Sequence, residues 1–166
     1  MGDFDYVKVV LDRIGDMTWM QVAIKPAKPL AFGVVDGTPV FGLPGNPVSS
    51  MVSFELFARP ALRRMMGHPT PDRVQVASVV DEDLRRRADG KVHFVRVVAS
   101  YGPDDRYHVR PSGGQGSHQL SALASANALA VVPDGEGLPA GSVVPTMLFD
   151  EPTGPGGEAG DDPFAA

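Results

Sequence analysis

At 166 residues, with 43% apolar and 21% charged residues, the chain can bury a core and fill one or two domains. A net charge of −5 argues against bulk binding of nucleic acid, and the absence of cysteine excludes disulfides and thiolate metal sites, in keeping with a reducing, cytoplasmic setting. No apolar run is long enough to cross a membrane, and Met1-Gly2-Asp3 leads into an amphipathic segment rather than a signal peptide.

The first predicted element is a helix over 6–14, with Gly15 placed to end it. Ahead of it lie Asp3 and Asp5. As simple structure they cap the helix and complement its dipole. The same carboxylate pair could hold a divalent cation, since Mg²⁺ takes one or two carboxylates and fills its shell with phosphate and water. On spacing alone the cap is favoured. A buried strand is predicted over 20–24, then Lys25-Pro26-Ala27-Lys28-Pro29, then a strand over 30–35. Proline fixes its own φ and extends the residue before it, so Lys25 and Lys28 sit on a stiff spacer. Two preorganised cations suit a polyanion. Taken alone, the same lysines also read as ordinary surface charges.

A strand over 38–41 runs into Gly42-Leu43-Pro44-Gly45, and Asn46-Pro47 opens a long helix over 47–66. Asn is a favoured N-cap, and Pro at the first helical position loses no hydrogen bond. The helix start therefore offers backbone N–H groups at Gly45 and Asn46, a positive dipole end and the Ser49 hydroxyl to an oxyanion. It is neither a P-loop nor a dinucleotide fingerprint, since the Lys-Ser/Thr pair and the Gly-x-Gly spacing are both absent. Val48, Met51, Val52, Phe54, Leu62 and Met65 belong to the helix's expected broad apolar face, and Pro60 should kink or divide it.

Gly67-His68-Pro69-Thr70-Pro71 reads as a stop, and a linker is placed at 68–73. The pattern then changes to short strands. They fall at 74–80, 93–99 and 107–110, the last two joined by a Gly102-Pro103-Asp104-Asp105 turn, and then at 128–132 and 143–149. A short helix is expected over 117–124, and the Gly/Pro/acid-rich stretch 151–166 reads as a disordered tail. Strand alternation puts Arg96 on the solvent side. Ser112-Gly113-Gly114-Gln115-Gly116-Ser117 is either a second anion cradle, through Ser112 and Ser117, or a capped turn. The four histidines show no paired ligand spacing, which speaks against zinc.

Four blocks carry a resemblance. Gly2-Asp3-Phe4-Asp5-Tyr6-Val7, Lys25-Pro26-Ala27-Lys28-Pro29-Leu30-Ala31-Phe32-Gly33 and Gly42-Leu43-Pro44-Gly45-Asn46-Pro47-Val48-Ser49 resemble three successive motifs of the MoeA/gephyrin E-domain family, the molybdopterin molybdenumtransferases. A fourth, Val109-Arg110-Pro111-Ser112-Gly113-Gly114-Gln115-Gly116-Ser117-His118 and the apolar stretch after it, resembles that family's last domain. The resemblance implies an α/β fold: part of a three-layer, MogA-like molybdopterin-binding domain over 1–67, and a small β-barrel-like C-terminal domain over 74–150. It implies a transferase of molybdenum cofactor biosynthesis that inserts molybdate into adenylylated molybdopterin, with Mg²⁺, and releases AMP. The implied roles are Asp3, Lys25 and Lys28 in catalysis, Asp3 and Asp5 on the metal, and Gly45, Asn46, Ser49, Ser112 and Ser117 on substrate or anion. Arg96 is the nominee for a basic residue that approaches a partner subunit's site. Ala27 stands where the family often has Gly. The family runs to roughly 400 residues, so the resemblance also implies missing strands and preceding domains, and a homodimer weakened by their loss. The rival expectations are a non-catalytic binding or scaffold module and an inactive remnant.

Overall fold

The computed structural model describes residues 6–116 and 120–150. The expectations placed on Asp3, Asp5, Ser117 and the 151–166 tail lie outside the described residues. The chain divides into two units between Pro71 and Asp72.

The first unit begins with α1 (Tyr6–Ile14), ended by Gly15, whose N–H donates to Leu11 O at 3.0 Å. A Cβ on Gly15 would lie 2.6 Å from Val34 O and from Val35 Cγ2, so only glycine lets the chain turn this close to the sheet. The helix is tied down by polar groups on β1 (Asp16–Gln21): Trp19 Nε1 donates to Asp12 Oδ1 at 2.6 Å, and Lys8 Nζ stands 5.4 Å from the Trp19 ring centroid. After β2 (Ile24–Lys25), β3 (Pro29–Val35) and β4 (Thr38–Gly42) form a hairpin. Its turn residues Asp36 and Gly37 have φ of 47° and 77°, the left-handed pair that a two-residue hairpin turn requires. The resulting sheet is antiparallel in the order β1-β3-β4.

The strand expected over 20–24 is displaced. Pairing ends at Gln21 opposite Pro29, and Val22 N–H donates instead to Lys28 O at 2.8 Å, which closes 22–28 into a loop. Beyond β4, α2 (Pro47–Ser53) passes into a π-helical turn (Phe54–Ala58) and then α3 (Arg59–Met65). Pro60 does divide the helix, and the division falls in the turn before it. Pro60 has no N–H for the Leu56 carbonyl, and Arg59 N–H reaches back five residues to Phe54 O. The expected continuous apolar face is not kept: Val48, Val52 and Ala58 are buried, but Leu62 and Met65 are exposed. The extra residue in the π turn advances the helical face by about 100°, enough to carry the later apolar positions away from the buried side. Gly67 (φ 82°) ends α3: His68 N–H bonds Arg63 O and Gly67 N–H bonds Arg64 O, the paired bonds of a Schellman cap.

The second unit contains β5 (Gln75–Val80), β6 (Leu84–Arg85), β7 (Val92–Tyr101), β8 (Tyr107–Pro111), α4 (Leu120–Ala124), β9 (Ala128–Val132), β10 (Gly137–Leu138) and β11 (Val143–Leu148). Five of the strands run β7-β8-β5-β11-β9, and β9 pairs back onto β7, so the sheet closes into a barrel without open edges. The β5–β8 pair is parallel and the other four are antiparallel. Val80, Val97, Val109, Val132 and Val144 fill the interior together with Ala128 and Ala130. Small and branched side chains are what a narrow barrel can hold. The turn at 102–105 joins β7 to β8 as expected, with Gly102 N–H bonded to Arg106 O at 2.7 Å. The β6–β10 ladder falls in stretches where the sequence showed no strand pattern.

Candidate functional site

Strand register brings two of the sequence motifs together. Ala31 pairs with Gly42 and Gln21 with Pro29. The chain leaving β1, the chain entering β3 and the chain leaving β4 therefore all emerge from one end of the first unit's sheet. That end carries the Lys25–Lys28 loop and the Gly45–Ser49 helix start. Gly42 lets the hairpin close tightly, because a Cβ there would lie 2.8 Å from Ala31 Cβ; one on Gly45 would meet nothing within 4 Å.

Lys25 and Lys28 are both exposed, on a loop that is held from within. The Lys25–Pro26 peptide is cis, Ala27 is 3% exposed, and its φ is 86°. A side chain is disfavoured in the left-handed region by roughly 1–2 kcal/mol, which gives a physical reason for glycine to be common at this position in the resembling family. At the helix start, Asn46 is an extended N-cap (φ −78°, ψ 125°), and its Oδ1 accepts from Val48 N–H at 3.1 Å and Ser49 N–H at 3.3 Å. The N-cap expected at Asn46 is therefore present. The Val48 and Ser49 amides already have a cap, so an oxyanion here would compete with Asn46 Oδ1 for them. Gly45 is exposed and Ser49 half-buried.

The second unit uses its predicted residues differently. Arg96 was expected to face solvent; it is 1% exposed. Its Nη2 donates to Gly114 O at 2.9 Å and Gly116 O at 3.2 Å, and its backbone N–H donates to Gln115 Oε1 at 3.0 Å. Burial lowers the guanidinium's pKa from its ordinary value. Gln115 Nε2 returns a bond to Arg96 O at 3.0 Å, so the side-chain amide continues strand pairing beyond the end of β8. The Ser112 hydroxyl lies 2.8 Å from Ala122 O and 3.1 Å from Arg96 O. The capped-turn reading describes 112–116, and Ser112 is committed to carbonyls of its own unit. Nothing in the sequence singled out Gln115, because its role depends on a strand 19 residues away.

Arg86 is a second hub that the sequence concealed inside Arg85-Arg86-Arg87. Its side chain is 2% exposed; Nη2 meets Asp134 Oδ1 at 2.7 Å and Asp89 Oδ1 at 2.9 Å, and Nη1 donates to Pro133 O at 2.7 Å. The amide of Asp89, and then those of Gly135 and Gly90, hold the Asp134 carboxyl below its usual pKa, with help from the Arg86 charge. Asp83, Arg85, Glu136 and Leu138 line a cleft of about 250 Å³ beside the β6–β10 ladder, apart from every motif above. Among the described residues no group of three or more His, Asp or Glu could hold a metal.

Comparison with known proteins finds relatives for both units. Residues 1–64 match the model of a probable molybdopterin-binding domain, and residues 82–149 match that of the MoeA C-terminal region, domain IV. The chain belongs to the MoeA family. A molybdopterin molybdenumtransferase of Haemophilus influenzae is 31% identical over 151 residues, 90% of this chain and 37% of that protein. Molybdopterin molybdenumtransferase 2 of Mycobacterium tuberculosis is 41% identical over 135 residues, 80% and 31% of the two chains. Gephyrin of Dictyostelium discoideum is 33% identical over 172 residues, 90% of this chain and 24% of that one. A solved MoeA protein of Pyrococcus horikoshii superposes with a TM-score of 0.70 at 27% identity, covering 88% of this chain and 35% of its own. The chain thus spans about a third of the length of these family members. Its α/β first unit and closed barrel are consistent with a MoeA-like fold.

Proposed function

We propose that this chain supplies part of a site for molybdenum cofactor biosynthesis, in which molybdate is inserted into adenylylated molybdopterin and AMP is released. The observation that carries the reading is the shared end of the first unit's sheet, where Lys25, Lys28 and the Gly45–Ser49 helix start emerge together. Cleaving a pyrophosphate link while an oxyanion is drawn toward a dithiolene spreads negative charge over several oxygens, and such steps depend on positioning and on fixed positive charge. Lys25 and Lys28 supply that charge. The Gly45 amide and the Ser49 hydroxyl supply neutral donors, and Asn46 sets the helix entry that aims them.

Relatives named molybdopterin molybdenumtransferase support the reading, and the cysteine-free composition suits a reducing cytoplasm. The Mg²⁺ expectation rests on Asp3 and Asp5, outside the described residues, and the described residues provide no alternative cluster. Arg96 has no part in this reading, because its guanidinium is buried within its own unit.

The test is reconstitution in a full-length family protein carrying this segment, with adenylylated molybdopterin, Mg²⁺ and molybdate, following AMP release. Lys25→Ala/Lys28→Ala should lower the rate at least 100-fold; an unchanged rate refutes the lysine role. A second reading, a binding module, is favoured by α1, whose Tyr6, Val7, Val10 and Ile14 are all more than half exposed. It predicts affinity for an apolar peptide and none for molybdate.

A further inference from the structure

His108 on β8 stands between two carboxylates. Its Nδ1 lies 2.7 Å from Asp81 Oδ1 and its Nε2 lies 3.0 Å from Asp104 Oδ1. Asp81 follows β5, and Asp104 belongs to the turn between β7 and β8. The bridge therefore joins three parts of the barrel at one point. That point is the β5–β8 seam, which is parallel and only three residue pairs long: Ser78 with Tyr107, Val79 with His108, and Val80 with Val109. Asp81 N–H extends the seam by one bond to Val109 O at 2.9 Å.

Space has been left for the ring. A Cβ on Gly102 would lie 2.8 Å from His108 Cδ2, 3.0 Å from Nε2 and 2.7 Å from Asp104 Oδ1. Gly102 therefore serves as clearance for the imidazole and its second carboxylate.

We infer that Asp81, His108 and Asp104 form a proton-dependent latch that fastens the β7–β8 turn and the end of β5 to β8 across the parallel seam of the barrel.

The chemistry follows from the inventory of donors. When both carboxylates are ionised they can only accept, so only the imidazolium, with an N–H on each ring nitrogen, satisfies both bonds. Hydrogen bonds to Asp81 and then to Asp104 raise the pKa of His108, against the opposing effect of burial. The hydrogen bond to His108 in turn holds the Asp104 carboxyl below its ordinary value, although burial opposes this. The other titratable or charged groups near the latch are Tyr101 on β7, Asp105 and Arg106 in the turn, Glu82 beside Asp81, and Tyr107 on β8, whose ring packs edge-on to Tyr101 at 5.2 Å.

A raised folded-state value means the latch is fully closed below the ordinary histidine pKa of about 6.5. It opens as pH rises through the raised value of His108, when a ring lone pair comes to face a carboxylate. On the acid side it persists until pH falls through the lowered value of Asp104.

The test uses the full 166-residue chain. The His108 ring resonances are titrated by NMR, and the exchange protection of the Gly102 and Asp81 amides is followed across the same range, corrected for intrinsic exchange. His108 should titrate above the ordinary value, and the protection of both amides should fall between the ordinary value and that midpoint, about tenfold in all for each unit of elevation, and then level off. Asp104→Asn should move the His108 midpoint back toward the ordinary value, and His108→Gln should leave protection low and independent of pH. A midpoint at or below 6.5 in the wild-type chain, or protection that ignores His108 protonation, overturns the latch. Should His108→Gln not fold, the Asp104→Asn midpoint decides: if it does not move, the latch is wrong.

Discussion

The two units treat similar sequence signals in opposite ways. In each, a Gly-rich turn with a nearby hydroxyl leads toward a helix, and each has basic residues close by. In the first unit the charges stay outside: Lys25, Lys28 and Gly45 are exposed at one end of a small antiparallel sheet. In the second they turn inward. Arg96 is buried and the 112–116 loop is wrapped around it, so the groups that might have met a ligand meet carbonyls of the barrel. The apolar side chains divide in the same way. Val80, Val97, Val109, Leu129 and Val144 are fully buried, whereas Tyr6, Val7, Val10 and Ile14 on α1 are more than half exposed. The lesson is that a glycine–hydroxyl–cation pattern does not identify an anion site by itself. What decides is whether the surrounding topology has already spent the donors.

This contrast sets the order of expected effects. Leu129→Ala removes a fully buried side chain from the face of β9 beside Arg96 and should cost about 2–5 kcal/mol in urea unfolding followed by circular dichroism. Val10→Ser on the exposed α1 face should stay within about 0.5 kcal/mol in the same experiment. Equal effects would dissolve the contrast between the units. Arg96→Met leaves the carbonyls of Gly114 and Gly116 without their buried donor and should cost about 2–3 kcal/mol. Hydrogen-exchange protection should then fall first at residues 112–116. Asn46→Ala strips the cap from Val48 and Ser49 and should cost about 1 kcal/mol, with Asn46→Asp restoring most of it. Ala27→Gly should be the mildest change. Relief of the left-handed Ala conformation, about 1–2 kcal/mol, nearly offsets the lost methyl burial and the added freedom of the unfolded chain.

Much of the fold was legible because local chemistry dictated it. The helix over 6–14 ended by Gly15, the Asn46-Pro47 helix start and the 102–105 turn each fix their own geometry. The candidate end of the first unit was partly legible. Both motifs stand out in the sequence, but their meeting depends on the Ala31–Gly42 register, which a motif cannot supply. Arg96 was illegible for a related reason. Alternation puts it on the face of β7 opposite the core residue Val97, and that face is normally wet. Here a loop 16 to 20 residues later folds over it. Likewise, nothing local marks Arg86 within Arg85-Arg86-Arg87, because its acceptors at Pro133 and Asp134 are distant in sequence. The β6–β10 ladder, two residues to a strand, is too short to show any period.

The contrast between a first unit that exposes its charges and a second that buries them can be read in one measurement: amide chemical shifts of the ¹⁵N-labelled 166-residue chain titrated with molybdate. The account predicts saturable shifts at residues 25–28 and 43–49, lost in Lys25→Ala/Lys28→Ala, with 112–116 unmoved. Shifts centred on 112–116 while the first unit stays silent would contradict it.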